Sequence, residues 1–148
     1  MSNQADTEIV EPVLLELAEA ARRAFGTALA SIVLFGSAAE NRLRANSDVN
    51  LIVLLERVEQ SALDAFREPL RAAHAAIRAE VMIVTRAELQ AAAQLFPVKY
   101  SDVRARHRVL VGSDPFERLE IPEADLRRQA IPLNPLNPSN TVKDAERP

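Results

Sequence analysis

Cysteine is absent from the 148-residue chain. That excludes disulfides, thiol catalysis and thiolate metal sites, and it fits a reducing cytoplasm. Two histidines are too few for a His-rich metal site. No apolar run approaches the roughly 20 residues that a membrane-spanning helix needs, so no membrane partner is expected. The start, Met1-Ser2-Asn3-Gln4-Ala5-Asp6, has neither the basic onset nor the apolar stretch of a secretion signal. The expected location is therefore cytoplasmic. Positive charge is also short: 18 Lys and Arg face 21 Asp and Glu, for a net charge of −3. Nucleic-acid binders are usually basic, so bulk electrostatics argue against a nucleic-acid partner. Only Gly26, Gly36 and Gly112 are glycines, and such scarcity suggests that each marks a backbone position that needs one.

What is present suits one domain. Hydrophobic residues make up 48% and charged residues 26%, ordinary usage for a globular chain long enough to bury a core. Residues 1–7 are polar and predicted to be a flexible N-terminus. From Glu8 to Phe25 the spacing of Val10, Val13, Leu14, Leu17, Ala21 and Phe25 predicts an amphipathic helix that starts close to Pro12 and stops at Gly26. Residues 29–35 and 48–55 read as buried strands, the second apolar on both faces like a central strand. Residues 38–43 suit a short helix. Residues 58–79 read as a helix with Ser61 as N-cap and a kink or break at Pro69. A third strand at 80–84 is followed by a helix whose capping box is Thr85 and Glu88. Val98 to Val103 reads as extended, residues 108–111 as a strand closed by Gly112, and 123–130 as a helix cut short. Residues 131–148 are rich in Pro and Asn and are predicted to be a disordered tail, leaving 8–130 as the domain. The alternation implies an α/β fold of α+β type, a small mixed β-sheet with helices packed on it.

The segment that carries chemistry is Gly36-Ser37, ten residues, then Asp48-Val49-Asn50. It lies in a strand–turn–helix–strand frame. At Gly36-Ser37 the backbone can approach a ligand, and free N–H groups with the Ser37 hydroxyl can cradle a phosphate. Residues 48 and 50 point to one face of their strand. This pattern resembles the nucleotidyltransferase superfamily of the DNA polymerase beta type, most closely its minimal single-domain members, over about Leu14 to Leu89. The resemblance implies a nucleotidyltransferase-like fold and transfer of a nucleoside monophosphate from an NTP to an acceptor. It also implies two Mg²⁺ ions held by three carboxylates: an Asp-x-Asp pair, and one more on a later strand. It assigns nucleotide binding to Gly36 and Ser37, and metal binding to Asp48.

The chain departs from that pattern. The second acid position is Asn50, which brings no charge. The third falls on Met82, and Glu80, two residues earlier, can substitute only if the sheet register shifts. Where relatives favour Arg-Gly, Glu40 and Asn41 stand. Mg²⁺ needs anionic oxygens and gives up its waters reluctantly, so Mg²⁺ is expected to bind weakly or not at all. The expected function is a nucleotidyltransferase-fold module with impaired or lost catalysis. It would bind nucleotide or a protein partner, in a homo-oligomer or hetero-complex. By resemblance, an antitoxin paired with a helical ribonuclease toxin is one such role. The alternative is an active transferase with Asp48 and Glu80 on one metal and Ser37 on the phosphates. Arg104, Arg106, His107 and Arg108 form a basic cluster, expected to be a solvated face beside Asp102, and His74 is expected to be a helix-face residue.

Overall fold

The computed structural model of the chain describes residues 2–36, 39 and 48–122, with the backbone alone for 2–7. In chain order the elements are α1 (Ser2–Phe25), β1 (Leu29–Phe35), β2 (Val49–Leu55), α2 (Gln60–Ile77), β3 (Ala79–Thr85), α3 (Arg86–Leu95), α4 (Pro97–Ala105) and β4 (His107–Gly112), with a 3₁₀ turn at Gly26–Ala28. Among the described residues the strands form one mixed sheet in the order β3-β2-β1-β4. β1 is antiparallel to β2 and β4, whereas β2 and β3 are parallel and joined across α2. A parallel pair needs such a crossover.

β2 is central, and its sequence shows why. Leu51 to Leu55 are all buried, because helices cover both faces of the sheet. On one face Ile32, Leu34, Leu51 and Val53 pack beneath α1 and α2, where Phe25 meets Phe66 edge-on at 5.1 Å. On the other, Val33, Ile52 and Leu54 lie under α3 and α4, closed by Phe116 and Leu119. Each fully buried aliphatic side chain contributes about 1.5–3 kcal/mol, so the unbroken apolar runs 32–35 on β1 and 51–55 on β2 place a helical layer on each face of the sheet.

Several local expectations hold. Gly26 follows α1 directly. Thr85 and Glu88 close a complete capping box on α3. Gly112 ends β4 at φ +77°, where a Cβ would run into the Ala30 carbonyl. Others are corrected. α1 begins at Ser2 rather than near Pro12, and α2 runs unbroken through Pro69. In each case the carbonyl that loses its partner belongs to an exposed residue, Glu8 or Ala65, so water can take the place of the missing N–H. The N-cap of α2 is Glu59, not Ser61. Residues 97–105 are helical rather than extended: Pro97 sits at the first helical position, where it suits a helix start, and Tyr100 and Val103 are buried. The expected helices at 38–43 and 123–130 and the 131–148 tail lie outside the described residues.

Candidate active site

Strand pairing brings the singled-out residues into one transverse row. Phe35 stands opposite Asn50, and Asn50 opposite Glu80. Paired residues share a face, so Asn50 and Glu80 lie on the face that carries Ile52 and Met82, the next pair along. Gly36 ends β1 at φ +82°, and a Cβ there would lie 3.3 Å from Asn50 Nδ2. Glycine is therefore favoured twice, by backbone conformation and by the close approach of Asn50. The Ala39 N–H donates to the Gly36 carbonyl at 3.1 Å. Ser37, Glu40 and Asn41 lie outside the described residues.

The acids of the site are engaged by cationic or proton-bearing groups from the end of α2. Asp48 Oδ1 accepts from Arg78 Nε at 3.1 Å. Glu80 Oε2 lies 3.1 Å from His74 Nδ1, which is also 3.2 Å from the Ala79 carbonyl. His74 is thus a helix-end side chain with structural contacts. Arg78 is the C-cap of α2 at φ +57°, the left-handed region. Its N–H bonds back to the carbonyls of Ala73 and His74, and its own carbonyl accepts the Val49 N–H at 3.2 Å. Its backbone is therefore tied to α2 on one side and β2 on the other.

At the third acid position Met82 is half-buried and in contact with Tyr100. Its Sδ accepts from Tyr100 Oη at 3.9 Å. Burial pushes the Tyr100 phenol up from its ordinary value, so the hydroxyl keeps its proton and donates. Among the described residues, no three His, Cys, Asp or Glu come together as a metal-holding group.

The basic cluster is spent inside the fold. Arg106 pairs with Asp102 at 2.7 Å, and Arg108 with Glu11 at 2.6 Å. His107 Nε2 meets Asp114 at 2.9 Å, and Arg104 donates to the Leu119 carbonyl at 3.4 Å. Arg104 and Arg106 are exposed, as expected of a solvated face, but His107 departs from it: its side chain is 10% exposed, held between Asp114 and the Phe116 ring.

Arg78 is the site residue that sequence reasoning missed. A residue at a helix–strand junction carries no motif, and its approach to Asp48 follows from the parallel register of β2 and β3. A closer reading of the helix end, where a left-handed residue is common and usually Gly, could have drawn attention to an arginine there.

Residues 14–125 match a family model described as a nucleotidyltransferase domain. No curated protein sequence matches the chain. Among solved structures, the chain is similar to spectinomycin adenyltransferase AAD(9) from Enterococcus faecialis, solved with ATP and spectinomycin. The identity is 18% and the TM-score 0.63, over 85% of this chain and 68% of that one. It is also similar to a putative nucleotidyltransferase from Sulfolobus solfataricus, at 11% identity and TM-score 0.49, over 82% and 94% of the two chains. A third similarity is to a chain in the complex of tri-AMPylated Shewanella oneidensis HEPN toxin with MNT antitoxin, at 18% identity and TM-score 0.45, over 94% and 98%.

Proposed function

The chain belongs to the nucleotidyltransferase domain family, and from that premise we propose that it is a member with an impaired or lost transfer reaction, acting as a nucleotide-binding and regulatory module. The carrying observation is the donor set at the three expected acid positions. Asp48 is the single carboxylate there, and it is engaged by Arg78. Asn50 is neutral, and Met82 is packed against Tyr100. Glu80 stands beside Asn50 but is turned to His74. These donors do not fit a pair of Mg²⁺ ions, which need several anionic oxygens in near-octahedral array. Gly36, at φ +82°, is a point where a backbone can approach phosphate, and in sequence it is followed by the Ser37 hydroxyl.

Two measurements test this reading. Melting of the full chain with Mg²⁺ and each of the four NTPs reports binding; ligand at about 100 times its Kd adds about 2.7 kcal/mol. A mass assay for nucleoside-monophosphate transfer reports chemistry. The expected outcome is nucleotide binding with no transfer. Restoring carboxylates with Asn50→Asp and Met82→Asp should bring Mg²⁺-dependent binding. Transfer by the wild type at rates near those of intact relatives would overturn the proposal.

A protein partner belongs to the same reading, with an antitoxin-like role as its specific form. Ile9 and Leu15 stand 58% and 68% exposed on α1, and a partner docked on that helix would shield one or both of them from solvent. Co-purification with a helical ribonuclease supports the role; a monomer in sedimentation that captures no protein from its native cells counts against it.

A further inference from the structure

We infer that Arg78 holds the phosphates of a nucleotide without a metal ion, and that Asp48 orients its guanidinium instead of ligating a cation. The inference rests on the nucleotide-binding reading above and names how that site would work. Place is the first argument. The Val49 N–H bonds to the Arg78 carbonyl, so Arg78 stands beside the start of β2 on its β3 side. Gly36 stands beside the same point on the β1 side, because Phe35 is opposite Asn50. Two strand spacings are about 10 Å, a span that a polyphosphate chain can bridge.

Chemistry is the second argument. Only Nε of Arg78 is bonded to Asp48, and among the described residues nothing bonds its two Nη atoms. The fork that matches phosphate geometry is open. The third argument is rigidity. The Arg78 backbone is hydrogen-bonded from both sides in a left-handed conformation where glycine is the commoner residue. A cation whose root is fixed in this way loses less freedom on binding.

The test is melting and titration of the full chain with ATP in EDTA. Wild-type protein should show an upward shift that does not grow when Mg²⁺ replaces EDTA. Arg78→Gly should weaken ATP binding by about tenfold or more, the size of a lost charge-assisted contact. Its apo melting temperature should not fall, since glycine suits φ +57°; lost binding is then not lost folding. Asp48→Asn separates the two roles by sign. It keeps an Oδ1 that can accept from Arg78 Nε but removes the negative charge that repels phosphate, so ATP binding in EDTA should strengthen, whereas a metal-ligating Asp48 would lose binding. Three results each overturn the inference: an ATP shift that survives Arg78→Gly, a shift that needs Mg²⁺ and vanishes in Asp48→Asn, or no ATP shift for wild type in EDTA. Mg²⁺-dependent transfer by the wild type overturns the broader reading instead, whatever Arg78→Gly does.

Discussion

The two ends of the β2–β3 pair carry the same kind of ion pair, built differently. The parallel register sets each residue of β2 beside the one thirty positions later, from Val49 with Ala79 to Leu55 with Thr85. Just outside the strands it brings Asp48 to Arg78 and Glu56 to Arg86. Exposure hardly differs: 47% and 57% at the first pair, 46% and 54% at the second. Geometry differs. Arg86 donates through Nε and Nη2 to both oxygens of Glu56 at 3.1 and 3.0 Å. Its guanidinium holds the Glu56 carboxyl below the usual value, and Glu56 raises Arg86 in turn. Arg78 gives Asp48 only Nε. One pair is bidentate and closes its end of the sheet; the other is a single contact, and no described residue bonds the Arg78 Nη atoms. Identical register therefore produces a two-point clasp at one end and a one-point contact with a solvent-open guanidinium fork at the other.

The strongest way to break the comparison is to destroy the register that both pairs share. Val53→Asp places a charge at a fully buried point midway along β2. It should cost several kcal/mol and unfold most of the protein, as read by denaturant titration. A smaller and one-ended effect is expected for Gly36→Val. Positive φ and the nearby Asn50 amide make it cost about 1–3 kcal/mol. ATP binding should fall in that variant while the Glu56 clasp stays intact; a loss of stability without any loss of binding would detach Gly36 from the site.

Exchanging the arginines sharpens the contrast. Arg86→Ala should lower the melting temperature slightly and leave ATP binding alone. Arg78→Gly should raise stability by up to about 1 kcal/mol through relief of the left-handed backbone and should weaken ATP binding. If both variants behave alike, the two ends do not differ in function.

The smallest effects are those of pH. Glu56 has a folded pKa below its unfolded one, so its contribution is present above the ordinary carboxylate value. That contribution is lost as pH falls through the folded value. Exposure screens it, and Arg86→Ala should remove the acid-side slope. Tyr100 has the opposite sign. Its folded pKa is raised by burial, so stability should decline as pH rises past about 10, where the unfolded chain loses the proton first. Tyr100→Phe should flatten that alkaline limb in melts followed across pH.

Much of the fold was legible because it is written in local pattern. Continuous apolarity marked β2 as central, and Thr85 with Glu88 marked the start of α3. Prolines misled. Pro12 and Pro69 lie inside helices because the carbonyls they orphan belong to exposed residues, and exposure is not written in the local sequence. Val98 to Val103 reads as extended in sequence, yet it lies within the helix at 97–105, for a related reason. The nine residues of that helix are too few for periodicity to decide, and tertiary burial of Tyr100 and Val103 holds it.

By itself the sequence determined the class of fold, the strand that lies at its centre, and the Gly36-to-Asp48 spacing that points to nucleotide chemistry. Those are matters of residue order, and the chain carries them from one residue to the next. Tertiary structure alone decided which side chains meet across strands: Asn50 beside Glu80, Met82 beneath Tyr100, and Arg78 on Asp48. A parallel register is set by how α2 packs back onto the sheet. A partner thirty residues away is therefore chosen by packing, and no local pattern announces it.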